Sequence, residues 1–224
     1  MSYRAVITAA VAAGLLAGAA ASLPLAGVLP PADGHGAWYA SRAAGLTAYL
    51  FLWLSLAGGL LMSSAWFDGL VNRARLLAAH QAFALAGLAL GLGHALVLIP
   101  DGWTDFGLAD LFIPFASSYE RADTALGTIA LYLFAIVTFS FWFRGAIGPA
   151  TWRWVHRAAF VAYLAALWHG VRIGTDTSAP PVALFYVLTA SMLVGALTVR
   201  LVYVRPRRQA PARPPSRAAA GPAG

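Results

Sequence analysis

Six apolar stretches constrain this chain more than any other feature. They lie at about residues 5–29, 43–65, 76–99, 124–143, 154–173 and 181–204. Each is close to the roughly 20 residues that a helix needs to cross a hydrocarbon core of about 30 Å. Their interiors hold no acidic residue, and their arginines are Arg157, Arg172 and Arg200 near the ends, where a long side chain can reach the headgroups. Only 10 % of the 224 residues are charged, against about a quarter in soluble domains, which excludes a water-facing globular surface. The expected fold is all-α: a polytopic membrane bundle of six transmembrane helices spanning residues 1–204. A disordered, basic, Pro/Ala-rich cytoplasmic tail is expected over 205–224.

Charge supplies an orientation. All 15 basic residues are arginine, and the net charge is +7. No basic patch gathers on a soluble domain, so a nucleic-acid partner is not expected. Arg4, Arg73, Arg75, Arg144, Arg153, Arg157 and the tail arginines Arg205, Arg207, Arg208, Arg213 and Arg217 fall on one side of the six spans, with Asp68 as the one acidic residue there. The other side holds Asp33, Asp101, Asp105, Asp110, Glu120, Asp123 and Asp176 with Arg42, Arg121 and Arg172. The positive-inside rule then places both termini in the cytoplasm. Ala, Gly, Arg and Pro in place of Lys, Asn and Ile point to a GC-rich bacterial gene, and so to a bacterial inner (cytoplasmic) membrane. The absence of cysteine removes disulfides, thiolate-held zinc, iron–sulfur clusters and covalent c-type haem attachment.

Two segments need separate reading. Arg4, the following Ala-rich run and Ala19-Ala20-Ala21 resemble a signal peptide, but about 25 apolar residues exceed a usual h-region and read as an uncleaved helix. The connection from Pro100 to about Asp123 carries Trp103, Phe106, Leu111, Phe112, Ile113, Pro114, Phe115 and Tyr119. That is too apolar for a free loop and suits an interfacial or re-entrant segment over the bundle. The chain reads as free of internal repeats and carries neither a G-x-G-x-x-G fingerprint nor a Walker sequence.

Four histidines carry the chemistry. His80 and His94 lie fourteen residues apart on the third predicted span, and His156 and His169 thirteen apart on the fifth. Histidine at membrane depth is a functional candidate by default. Fourteen residues rise about 21 Å and return to within about 40° of the starting face. The two spans run in the same direction, so His80 and His156 share one depth and His94 and His169 another. Two imidazoles facing across a helix gap can hold one haem iron, and two such levels would hold two b-type haems between the third and fifth spans. Thirteen residues leave two rings about 140° apart on an ideal helix. The fifth span is therefore either locally irregular or presents its ligands at different angles. A metal-ion permease is the competing reading of intramembrane histidines, although ligands for a bare ion should converge at one depth. His35, in Asp33-Gly34-His35-Gly36, reads as a solvated loop residue.

The paired histidine spacing resembles the ferric reductase-like transmembrane domain superfamily. That group includes ferric reductases, NADPH oxidases and the haem-binding membrane subunit of the periplasmic methionine sulfoxide reductase system. Supporting stretches are Trp38-Tyr39-Ala40-Ser41-Arg42-Ala43-Ala44-Gly45-Leu46, Ile113-Pro114-Phe115-Ala116-Ser117, Trp152-Arg153-Trp154-Val155-His156-Arg157 and His169-Gly170-Val171-Arg172-Ile173-Gly174-Thr175-Asp176. The resemblance covers about Tyr39 to Val204. It implies that His80 and His156 bind an inner haem b and that His94 and His169 bind an outer one. The four histidines would be the ligands of the haem irons. It also implies transmembrane electron transfer as an oxidoreductase component. The short Pro/Arg tail stands where ferric reductases carry a flavin and NADPH module. Electrons are therefore expected from a separate cytoplasmic flavoprotein reductase or a membrane quinol. The acceptor would be ferric iron, oxygen or a periplasmic reductase; a quinol-linked subunit of a methionine sulfoxide-type reductase is the alternative, and a haem sensor a further one. Arg73, Arg75, Arg153 and Arg157 flank the inner level and Arg42 and Arg172 the outer one. All are candidates for pairing with haem propionates, with an acidic flavoprotein surface as the alternative partner of the inner four and Asp176 or Asp123 that of the outer two. Phe160 or Tyr163 could pack between the macrocycles.

Overall fold

The computed structural model describes residues 35–63, 72–100 and 105–203. Among them are six helices: α1 (Gly36–Ser63), α2 (Arg73–Leu96), α3 (Leu108–Phe112), α4 (Arg121–Ile147), α5 (Pro149–Ile173) and α6 (Pro180–Tyr203). The predicted span at 5–29, the tail at 205–224, and Arg4, Asp33, Asp68, Asp101 and Trp103 lie outside the described residues.

The architecture is all-α, but the expectation of six membrane-crossing helices is not met. Four helices among the described residues are long and apolar enough to cross a bilayer: α1, α2, α4 and α6. α3 has five residues. α5 has the length, at 25 residues, but not the composition. Arg153, Arg157 and Arg172, together with His156 and His169, dilute an otherwise apolar sequence. A multi-pass membrane protein remains the reading. Large apolar side chains cover the outward faces, including Ile136, Phe143, Leu164, Trp168, Leu188, Met192 and Leu201. A surface of this kind is matched to lipid.

Local chemistry sets the helix ends. Asn72 caps α2, its Oδ1 accepting from the backbone N–H of Ala74 and Arg75. α4 and α5 are joined through Gly148 alone, whose φ of 81° is open to glycine and strained for other residues, and Pro149 then begins α5. Successive helices thus form two antiparallel hairpins, α1–α2 and α4–α5. They dock with α1 on α5 and α2 on α4, while α6 lies on α1.

A buried polar knot ties three helices near their middles. Tyr49 of α1 shares a hydrogen bond of 2.6 Å with Tyr163 of α5 and one of 2.8 Å with Thr189 of α6. Trp53 Nε1 donates to Thr189 O at 2.9 Å. Every hydroxyl here has a partner, so the knot specifies how the helices meet. Tyr163 is therefore a core residue stacked on Tyr49 at 5.6 Å between centroids, and Phe160 packs against the same core.

The connection after α2 folds back over one end of the bundle. Leu111 of α3 is buried, Tyr132 of α4 donates to Phe112 O at 2.5 Å, and Arg121 donates to Phe115 O at 2.7 Å. Leu108, Phe112, Ile113 and Phe115 remain exposed. This end is called the loop side below, and the end carrying Gly148 the turn side.

Candidate functional site

All four histidines come together in the pairs that their spacing suggests. On the turn side, the rings of His80 (α2) and His156 (α5) have centroids 6.0 Å apart with planes at 69°. On the loop side, His94 and His169 are 6.1 Å apart at 80°. α5 is continuous α-helix from 149 to 173. The thirteen-residue spacing is thus accommodated without a local irregularity, and the two rings leave the helix at different angles.

Three of the four imidazoles are held by one repeated device. His94 Nδ1 donates to Ser41 O at 2.8 Å, while Ser41 Oγ donates to His94 O at 2.9 Å. Fourteen residues along both helices the arrangement recurs: His80 Nδ1 donates to Ser55 O at 2.7 Å, and Ser55 Oγ donates to His80 O at 3.0 Å. His169 Nδ1 donates to Asp123 O of α4 at 2.8 Å. A carbonyl only accepts, so in each case the proton sits on Nδ1 and the lone pair on Nε2. That tautomer is the one ready to ligate a metal through Nε2.

One turn beyond each accepting carbonyl stands a glycine. A methyl carbon at Gly45 would lie 2.9 Å from His94 Nδ1, one at Gly59 3.4 Å from His80 Cε1, and one at Gly127 2.7 Å from His169 Nδ1 and Cε1. The missing side chain lets the ring lie flat on the neighbouring helix. The pattern Ser41-x-x-x-Gly45, Ser55-x-x-x-Gly59 and Asp123-x-x-x-Gly127 was not singled out from the sequence. Its signal was the shared fourteen-residue interval of Ser41/Ser55 and His80/His94.

His156 differs. Its buried Nδ1 has no hydrogen-bond partner, and the same is true of Trp152 Nε1 one turn earlier. These are the two unpartnered buried side-chain polar atoms among the described residues. The two rings stack at 5.0 Å and 26°.

The loop-side pair opens into a long apolar cleft with a cavity volume of ≈ 200 Å³. Gly87 and Leu52 line it toward the bundle centre, and Arg42, Trp38 and Tyr119 line its mouth. The outer candidate arginines have carboxylate partners. Arg42 forms an ion pair with Asp176, with Nε at 2.7 Å from Oδ2, and Arg172 Nε lies 3.4 Å from Asp123 Oδ2. Arg153 and Arg157 are exposed on the turn side, and the Arg157 guanidinium lies over the Trp154 ring at 4.5 Å.

Two imidazole nitrogens at about 2.0–2.1 Å from one metal would place the ring centroids roughly 6.3 Å apart; the two pairs lie at 6.0 and 6.1 Å, and three of the four imidazoles carry the proton on Nδ1. No group of three or more His, Asp or Glu side chains suited to a bare ion occurs among the described residues. No family model, no curated protein and no solved structure matches this chain.

Proposed function

We propose that this protein is a membrane electron carrier holding two b-type haems, one between His80 and His156 and one between His94 and His169. The single observation behind the reading is the doubled pairing, two imidazole couples near bis-ligand spacing, about fourteen residues (about 21 Å) apart along α2. A haem ligated by two histidines would supply one-electron iron chemistry with no open coordination position, which suits transfer rather than oxygenation.

The chain's own residues have defined parts. Ser41, Ser55 and Asp123 orient the ligands through backbone carbonyls, and the glycines beside them let the rings seat. The apolar cleft surrounds the loop-side pair with mostly non-polar side chains. Arg73, Arg75, Arg144, Arg153 and Arg157 make the turn side the cytoplasmic face by the positive-inside rule. The donor, a flavoprotein with an acidic surface or a membrane quinol, would dock there. The acceptor, a ferric chelate, oxygen or a periplasmic reductase, would meet the loop side. The likeness of the histidine spacing to the ferric reductase-like transmembrane domain supports the same reading. A permease for bare ions would need its ligands to converge on one point, whereas these side chains meet in separate couples.

The test is a pyridine haemochrome assay with a reduced-minus-oxidised spectrum on the purified chain, expressed with haem available. About two b-type haems per chain are expected. One would overturn the two-site reading, and none in folded protein would overturn the redox reading.

A further inference from the structure

The four histidines are not held alike, and the consequence of this rests on the two-haem reading. His80, His94 and His169 each spend Nδ1–H on a backbone carbonyl of a neighbouring helix at 2.7–2.8 Å. His156 Nδ1, though buried, has no hydrogen-bond partner among the described residues.

The cause is helix arithmetic. On α2 the two ligands are fourteen residues apart and nearly in phase, so α1 can meet both with one repeated Ser/Gly device. On α5 the interval is thirteen and the phase differs by about 140°. His169 faces α4, where Asp123 O and Gly127 receive it; His156 cannot face α4 at the same angle. α4 also has no glycine between Gly127 and Gly145. What touches His156 instead is Trp152, a stacking partner on its own helix, which moves with it and fixes neither its tautomer nor its orientation.

Partners that orient a ligating histidine typically contribute about 10–100-fold in metal affinity. The geometry points to the turn-side pair as the exchangeable site: with a haem held between His80 and His156, His156 would be the ligand that a small neutral molecule of the carbon monoxide class replaces, while His94 and His169 stay tethered to their carbonyls. Such an exchange would trade one iron–nitrogen bond for one iron–carbon bond, with no electron transferred and His156 released neutral. The pairs therefore have different roles, a locked site on the loop side and a site that can open on the turn side.

The experiment uses the full chain in detergent. Its haem content is first fixed by the haemochrome assay, so that failure of the two-haem reading is recognised separately. The dithionite-reduced protein is then titrated with carbon monoxide and followed by difference spectrum. The expected result is about one carbon monoxide per two haems, with the second haem binding at least about 10-fold more weakly. His156→Ala, or His156→Met where the alanine variant fails to assemble, should either remove the reactive haem or speed its carbon monoxide binding. Gly127→Ala, which pushes a methyl into His169, should bring the second haem into reaction. No binding, equal binding at both haems, or a signal unchanged in amount and rate by replacing His156 would each overturn the inference.

Discussion

The loop-side and turn-side histidine pairs have nearly the same ring separation but differ in everything that surrounds them. On the loop side both imidazoles are tethered by backbone carbonyls of other helices, both press against a glycine, and both line the apolar cleft. On the turn side His80 repeats that arrangement with Ser55 and Gly59, whereas His156 stacks on Trp152 and its Nδ1 has no hydrogen-bond partner among the described residues. Similar ring separation can therefore coexist with different hydrogen-bonded support. The separation along α2 follows from helix rise, and the support follows from what the neighbouring backbone offers at that level.

The strongest test of this contrast replaces the ligands. His94→Ala or His169→Ala should lower the haem content from about two to about one, with the turn-side signal retained; His80→Ala or His156→Ala should do the reverse. Loss of both haems from a single turn-side substitution would show that the pairs are not independent.

The glycines give a graded series. Gly127→Ala meets His169 at 2.7 Å, Gly45→Ala meets His94 at 2.9 Å, and Gly59→Ala meets His80 at 3.4 Å. Overpacking of this kind costs about 1–3 kcal/mol. The fall in thermal unfolding temperature should follow that order, with Gly59→Ala near zero. Equal shifts at the three sites would erase the difference between the two sides.

Tyr49→Phe should act on both levels alike, because the tyrosine knot lies between them. Removing its hydroxyl leaves Tyr163 and Thr189 short of a partner and should cost about 1–3 kcal/mol, with both haems retained. Loss of one haem alone would tie the knot to that side. Asp176→Asn should have the smallest effect, below about 1 kcal/mol, since its pair with Arg42 is partly exposed. A larger fall in stability would mean that the ion pair holds the cleft mouth closed.

Much of the fold was legible because the relevant forces are local. Apolar runs and flanking arginines located five of the six predicted stretches on α1, α2, α4, α5 and α6, with ends off by up to seven residues, as at the start of α1 at Gly36, and the remaining stretch lies outside the described residues. Among the described residues four helices, α1, α2, α4 and α6, are long and apolar enough to cross a bilayer; α5 has the length, but its histidines and the arginines toward both ends dilute its apolar run. Histidine positions were equally legible, since helix rise alone puts His80 level with His156 and His94 level with His169.

What the sequence by itself determined is the helical class, the multi-pass membrane setting and the spacing of the histidines along their helices, because rise per residue and hydropathy need no knowledge of neighbours. Only the tertiary structure decided which carbonyl each imidazole meets, which glycines let the helices close, and that Arg42 and Arg172 go to Asp176 and Asp123. Those outcomes depend on the angle at which one helix faces another. A serine in a membrane helix has several possible partners, and only packing selects His80 for Ser55 and His94 for Ser41 while leaving His156 Nδ1 without one among the described residues.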